Sequence, residues 1–464
     1  MTRRSIHRCS GATVFAAVVV SMLVGSGCAT QGGKAPDAAT APRPNIVFIF
    51  VDDMGYGDIG CYGAPDARTP RIDQLARQGV RFTQFYSNGP ECTPTRTALM
   101  TGRYQQRVMG LECAIGTGNV GRYDEAIIQA RLHNLGLPVK QTVLPGALKA
   151  RGYSAVAFGK WHLGYEKKFN PLAYGWDRFF GCLGGNVDYF THRELSELPV
   201  LYADDKPVKR QGYMTHLITE EAVKFLRQKH DQPFLLYLPY TTPHFPYQGP
   251  HDEKLEITKD NFTIGTRKKY VEMLEDMDAQ VGRILDELQR AGVAKDTLVI
   301  YASDNGGTKI AHHGKLRGTK GGLFEGGIRV PLIVRWPGHI KPGQVSNQLC
   351  VTMDLTASLL RVAGAEPRQP LDGIDILDHI QKGTANFDRT LYWRARRGNR
   401  TWRAVRSGDM KYVQRVEADA SQQWLFDLKK DPNETQDLRQ TNPDQMNQLK
   451  AKLKAWEQQV KPPV

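Results

Sequence analysis

Residues Asn45–Val51, NIVFIFV, form an almost unbroken apolar run that ends directly on Asp52 and Asp53. A run this short, with no polar alternation, fits a strand covered on both faces, as in a parallel sheet. Similar runs recur at residues 153–158, 234–238, 297–302 and 330–335, with helical patterns between them. The clearest pattern covers Arg267–Arg290, where Val271, Leu274, Met277, Val281, Ile284, Leu285 and Leu288 recur at three- and four-residue spacing. Gly292 stands just past its end, where helices commonly stop. Strands alternating with helices predict an α/β fold with a large, mostly parallel sheet between helices.

In open sheets of this kind, ligands bind beyond the carboxyl ends of the strands. Asp52 and Asp53 follow the first run, and Asp304 and Asn305 follow TLVIYAS at residues 297–303. Adjacent carboxylates near a core are costly unless a cation neutralises them. Three aspartates and an amide oxygen make a hard, all-oxygen set suited to calcium, less well to magnesium and poorly to zinc. Helix capping explains many single Asp-Asp pairs, so the second cluster carries the metal reading.

Beyond residue 372 the texture changes to shorter alternating segments at 390–393, 402–405, 411–414 and 424–428, followed by a helical pattern over Pro443–Gln459. The expected organisation is a catalytic domain over 44–371 and a smaller α+β domain over 372–464, with a short antiparallel sheet and a terminal helix. A chain of 464 residues can bury one large core and a satellite. Its 41% hydrophobic and 24% charged residues exclude wholesale disorder.

At the N-terminus, Arg3, Arg4 and Arg8 precede an apolar stretch at 13–24, then Gly25, Ser26, Gly27 and Cys28. This reads as an export signal over 1–28, its apolar stretch too short to span a bilayer. Small residues before Cys28 resemble a bacterial lipobox, in which the cysteine is lipidated, although Gly25 stands where a larger aliphatic residue is usual. The expectation is an exported protein, periplasmic or an outer-membrane or cell-surface lipoprotein. Membrane attachment would run through lipidated Cys28 and a flexible linker at 29–43. Beyond the leader lie Cys61, Cys92, Cys113, Cys182 and Cys350, with no CxxC pair and no zinc spacing. An odd number in an exported protein marks at least one for a separate fate, and disulfides among the rest cannot be paired from sequence.

Cys92 opens the stretch CTPTRTALMTGR at residues 92–103. From the residues alone it is a buried structural thiol, half of a disulfide, or a thiolate favoured by Arg96 and a helix N-terminus after Pro94. The stretch resembles the sulfatase signature C-x-P-S-R-x-x-x-L-x-T-G, with Thr95 where serine or alanine is usual. Further stretches similar to that family follow its chain order: VDDMGYGDIGCYG with Asp52 and Asp53, GKWHLG with Lys160 and His162, TPHFP with His244, SDNGG with Asp304 and Asn305, and RGTKGGLFEGGIRVPLIVRWPG with Lys320. The opening and GKWHLG look nearest the N-acetylgalactosamine-6-sulfatase-like branch.

The resemblance implies an alkaline-phosphatase-like core and a sulfuric ester hydrolase. Its nucleophile would be formylglycine, made from Cys92 by a formylglycine-generating maturation enzyme. One calcium per site would be held by Asp52, Asp53, Cys92, Asp304 and Asn305. Sulfate esters resist attack until their charge is neutralised, which calcium, Arg96, Lys160 and Lys320 can do. His244 is the family's candidate proton donor to the leaving alcohol, Lys320 holds a sulfate oxygen, and His162 is the candidate base for sulfate release, with Lys160 and Arg96 steadying the hydrated aldehyde. Lys160, His244 and Lys320 would therefore touch substrate, and His312 and His313 lie where a recognition loop could lie.

The net charge of +14 includes three leader arginines and no leader acid, so the exported chain keeps +11. A basic surface favours anionic partners. No helix-turn-helix, zinc-finger or RNA-reading signature is present, so nucleic acid is not expected, whereas a sulfated carbohydrate of galactose or N-acetylgalactosamine type fits the chemistry. Arg394, Arg396, Arg397 and Arg400 read as a plain basic surface. The rival readings are a phosphomonoesterase or phosphodiesterase on the same fold, disfavoured by Cys92, and a non-catalytic glycan-binding surface lipoprotein.

Overall fold

A computed structural model describes residues 43–141, 144–196, 200–418 and 420–461. The expected signal with Cys28, and all but the last residue of the linker, lie outside the described residues. Among the described residues, no helix is long and apolar enough to cross a membrane.

Asn45–Val51 is the centre of a ten-stranded sheet. It pairs in parallel with Thr297–Ser303 on one side and Phe234–Pro239 on the other; Ser154–Phe158 and Arg178–Cys182 extend the parallel block. Burial of both faces is visible residue by residue. Ile46, Phe48 and Phe50 enter one apolar cluster with Leu99, Leu355 and Leu359, while Val47, Ile49 and Val51 enter the other with Leu75, Leu217 and Met277. Period-two alternation in a wholly apolar strand thus feeds two helical layers, which is why the run shows no polar side.

The edges are less regular than the centre. Leu332–Arg335 runs antiparallel to Thr297–Ser303 and carries Val80–Phe82 and Gln344–Ser346 beyond it; Leu201–Ala203 and Lys206–Pro207 close the opposite edge antiparallel. Leu332–Arg335 falls within the apolar run at 330–335, whereas the other edge strands, of two or three residues, carry too few positions for periodicity to register.

A second sheet of four antiparallel strands, Thr390–Arg397, Arg400–Ser407, Met410–Glu417 and Ala420–Asp427, is followed by the helix Pro443–Gln459. Trp393, Val405, Tyr412, Phe426 and Leu453 share one apolar cluster with Tyr86, Ala98, Leu323 and Phe324 of the larger part. Trp393 Nε1 donates to Ser87 O at 2.8 Å. A wholly buried ion triad adds to this seam: Lys411 Nζ lies 2.8 Å from Glu325 and 2.9 Å from Glu434. The small sheet therefore completes the core under the segments that carry Cys92 and Lys320.

Candidate active site

Parallel register brings the polar strand ends level. Val51 pairs with Ser303, Asp304 N donates to Val51 O at 3.0 Å, and Asp52 N donates to Thr242 O at 3.1 Å, so three segments converge at one rim. Asp53 has φ 64°, a left-handed conformation that aspartate tolerates. That turn breaks strand alternation and lets Asp52 and Asp53 serve the same site.

Cys92 is the first residue of the helix Cys92–Thr101 and is 1% exposed. Its Sγ lies 3.2 Å from Asp52 Oδ1, 3.2 Å from Lys160 Nζ and 3.7 Å from Lys320 Nζ. Burial, then Asp304 and Asp52, push the thiol well above its usual range. Arg96, which the sequence offered as a support for a thiolate, is committed elsewhere: it donates to Asp304 Oδ2 through Nε at 3.1 Å and Nη2 at 2.9 Å, and to Lys160 O through Nη1 at 2.9 Å. The disulfide alternative falls, since all five described cysteines are free. Thr95 fills the position where serine is usual with the same hydrogen bonds a serine could make, accepting from Gly89 N and donating to Gly89 O, both at 3.1 Å.

Two lysines face the acids. Lys160 Nζ is 2.5 Å from Asp52 Oδ2, and Lys320 Nζ is 2.6 Å from Asp53 Oδ1 and 2.7 Å from Oδ2. Burial pushes Asp52 up to about 7 against the pull of Lys160, and Asp53 is raised by the same cause. Asp304 behaves oppositely: burial opposes its charge, but Arg96, Lys160 and Lys320 outweigh burial and hold it below the usual carboxylate range.

Burial disfavours the charged form of both histidines. His162 Nε2 meets Ile115 O at 2.8 Å, which assigns the proton to Nε2 and leaves Nδ1 buried without a partner. Burial, then Lys160, holds it well below the usual histidine range. His244 Nδ1 meets Phe245 O at 2.6 Å and Nε2 lies 3.5 Å from Asp53 Oδ2; burial, then Lys320, lowers it likewise.

Four side chains gather closely enough to share a metal ion. Ligand atoms of Asp52, Asp53, Cys92 and His244 lie within 4.8 Å of one another. Asp304 and Asn305 border them, with Asp304 Oδ1 accepting from Asp53 N at 3.2 Å and Asn305 Nδ2 donating to Asp53 Oδ1 at 2.7 Å. That orientation leaves Asn305 Oδ1 buried and unpartnered, a bare acceptor beside raised carboxylates.

The group opens into a cavity of about 490 Å³, in the range of small-ligand sites. Cys92, His162, His244 and Lys320 line it, with Phe245 and Phe262. His312 and His313 are not brought to it. Their ring nitrogens meet the backbone oxygens of Gly57 and Thr308, both at 3.0 Å. Conversely, the cavity contains residues that no motif singled out, Arg122 and Asn186, and it draws Arg397 out of the supposed plain basic surface. The other three arginines of that run are engaged with Glu112, with Asp124 and Glu125, and with Glu417. Spacing cannot find such residues, because a hairpin tip reaches the cavity only through tertiary packing.

Comparison with known proteins follows this geometry. The family described as Sulfatase matches residues 44–365, and the family described as N-sulphoglucosamine sulphohydrolase, C-terminal, matches residues 319–461. N-acetylgalactosamine-6-sulfatase of Mus musculus is 35% identical over 396 residues, covering 81% of this chain and 72% of its own. Arylsulfatase A of Homo sapiens is 34% identical over 377 residues, covering 73% and 68%. Among solved structures, Ps i-CgsB in complex with k-i-k-neocarrahexaose superposes with a TM-score of 0.77 at 29% identity, covering 89% of this chain and 93% of that one. The PsFucS1 sulfatase from Pseudoalteromonas sp. gives 0.72 at 27%, covering 91% and 92%.

Proposed function

Because the chain belongs to the sulfatase family and is a sulfuric ester hydrolase, we propose that it cleaves sulfate monoesters on carbohydrates of galactose or N-acetylgalactosamine type, using formylglycine made from Cys92 and a bound calcium. The observation that carries this reading is Cys92 at the start of a buried helix, within 3.2 Å of both Asp52 and Lys160 at the floor of the cavity. The resemblance to N-acetylgalactosamine-6-sulfatase and to the carrageenan-oligosaccharide complex supports the carbohydrate class.

When bound, calcium would supply a Lewis acid to the ester and to the hydrated aldehyde of residue 92. Asp52, Asp53, Asp304 and the free Asn305 Oδ1 are the residues to hold it. Lys160 and Lys320, which face these carboxylates, are the cations placed to bind the sulfate oxygens. Arg96 fixes Asp304 and the Lys160 backbone, so the basic groups stay aligned when substrate enters. His162, neutral with Nδ1 free, accepts the proton whose loss lets sulfate depart. An anionic ester between Lys320 and His244 opposes the bias against the charged ring, so that Nε2 takes up a proton from solvent and passes it to the leaving alcohol, while Nδ1–H stays on Phe245 O.

Removal of calcium with EGTA is expected to lower sulfate release on the order of 10²-fold or more, with recovery on adding calcium. Equal recovery with zinc would overturn the calcium assignment. Export, and membrane attachment through lipidated Cys28, belong to the same proposal; the charged, apolar, small-residue leader supports them. Mass spectrometry of the Cys92 peptide from active enzyme tests the nucleophile directly, and an unmodified thiol there ends the formylglycine reading.

A further inference from the structure

The cavity wall away from Cys92 carries positive charge that the chemistry above does not use. Arg122, Arg397 and Lys309 line it against a single acid, Glu91. Arg397, at the tip of the first hairpin of the small sheet, gives Nη1 to Glu91 at 2.6 Å and is 54% exposed, leaving the rest of its guanidinium to the cavity. Arg122 is half-buried, and among the described residues its side chain has no hydrogen bond or ion pair. In a sheet region where Arg394, Arg396 and Arg400 all hold acids, an unpaired arginine facing a cavity is distinctive.

The backbone ties together the two segments that bring these arginines to one cavity. Gly398 N donates to Arg122 O at 2.6 Å, pinning the loop that carries Arg122 to the hairpin that carries Arg397. Gly116 pairs with Val120 in both directions, at 2.7 and 3.1 Å, and a Cβ at Gly116 would stand 3.1 Å from Arg122 Nε. Glycine there gives the arginine its place against the wall. Beside it, Asn186 Oδ1 is buried without a partner, an acceptor suited to a sugar hydroxyl.

We propose that Arg122 and Arg397 form a subsite for a second anionic group of the substrate, a sulfate or a carboxylate on a sugar, separate from the ester that is cleaved. The inference rests on the reading of the protein as a carbohydrate sulfatase. A guanidinium fork matches the paired oxygens of either anion. The enzyme would then favour multiply charged glycans over singly sulfated ones.

The test uses matured enzyme and three saccharides: one with a single sulfate ester, one with a second sulfate, and one with a single sulfate and a uronate carboxylate. The readout is kcat/KM on each doubly charged substrate divided by that on the singly charged one. Wild type is expected to prefer at least one doubly charged substrate, and Arg122→Gln to lower that ratio at least about tenfold. Arg122→Lys should recover only part of it, because charge returns without the fork. Which arm responds identifies sulfate or carboxylate. A ratio near one in wild type, or one unmoved by Arg122→Gln, overturns the subsite while leaving the sulfatase reading standing. Wild type inactive on all three saccharides overturns the carbohydrate reading and the subsite with it.

Discussion

Replacing Cys92 with Ala is expected to lower sulfate-ester turnover by at least about 10⁴-fold without unfolding the protein. Its Sγ touches Asp52, Lys160 and Lys320 together, and among the described residues no other thiol or hydroxyl makes hydrogen bonds to all three. Structural damage should be small. Cys92 opens the helix and forms no disulfide, and alanine is a good helix former. Cys92→Ser separates a missing nucleophile from a missing second hydroxyl: it can take up sulfate once but has no second hydroxyl from which to expel it. Near-normal steady-state turnover in either variant, with circular dichroism unchanged, would contradict the role assigned to residue 92.

The second large effect concerns stability. Lys411→Met is expected to destabilise the fold by about 3–5 kcal/mol, because it leaves Glu325 and Glu434 buried together with no cation between them. Lys411, Glu325 and Glu434 are fully buried side chains at 2.8–2.9 Å. Burial pushes Glu434 up, whereas against its own burial Glu325 is held low by Lys411, Arg329 and Arg406. Lys411→Met combined with Glu434→Gln should recover part of the loss, since one carboxylate charge is gone. Denaturant midpoints measure both; a shift below about 1 kcal/mol for the single variant would show that water or another cation compensates. Glu325 closes the segment that presents Lys320, so the same variant should also weaken turnover before the protein unfolds.

The central strands and the site's acids were legible because their chemistry is local. NIVFIFV has no polar residue to alternate, and Asp52, Asp53, Asp304 and Asn305 follow apolar runs whose parallel register then aligns them. The long helix Arg267–Arg290 and the terminal helix Pro443–Gln459 coincide with their patterns, each with a side-chain N-cap, Thr266 and Asn442. The outer edge was not legible: Val80–Phe82 and Gln344–Ser346 are too short to show a period and are strands only because Leu332–Arg335 offers a ladder to the first and the first offers one to the second. The cavity wall escaped for another reason. Arg122 and Arg397 are 275 positions apart, joined by one backbone hydrogen bond, and nothing in either local sequence announces the other.

The seam between the two sheets sets an order of events in the life of the chain. Cys92 opens a helix whose Ala98 packs into the cluster of Trp393, Val405 and Phe426, strands synthesised some 300 residues later. On the proposed formylglycine reading, the maturation enzyme would need this thiol before the C-terminal strands dock. Activity would be decided during a brief interval of synthesis and export, and protein refolded from denaturant with its thiol intact would reach the native shape permanently inert.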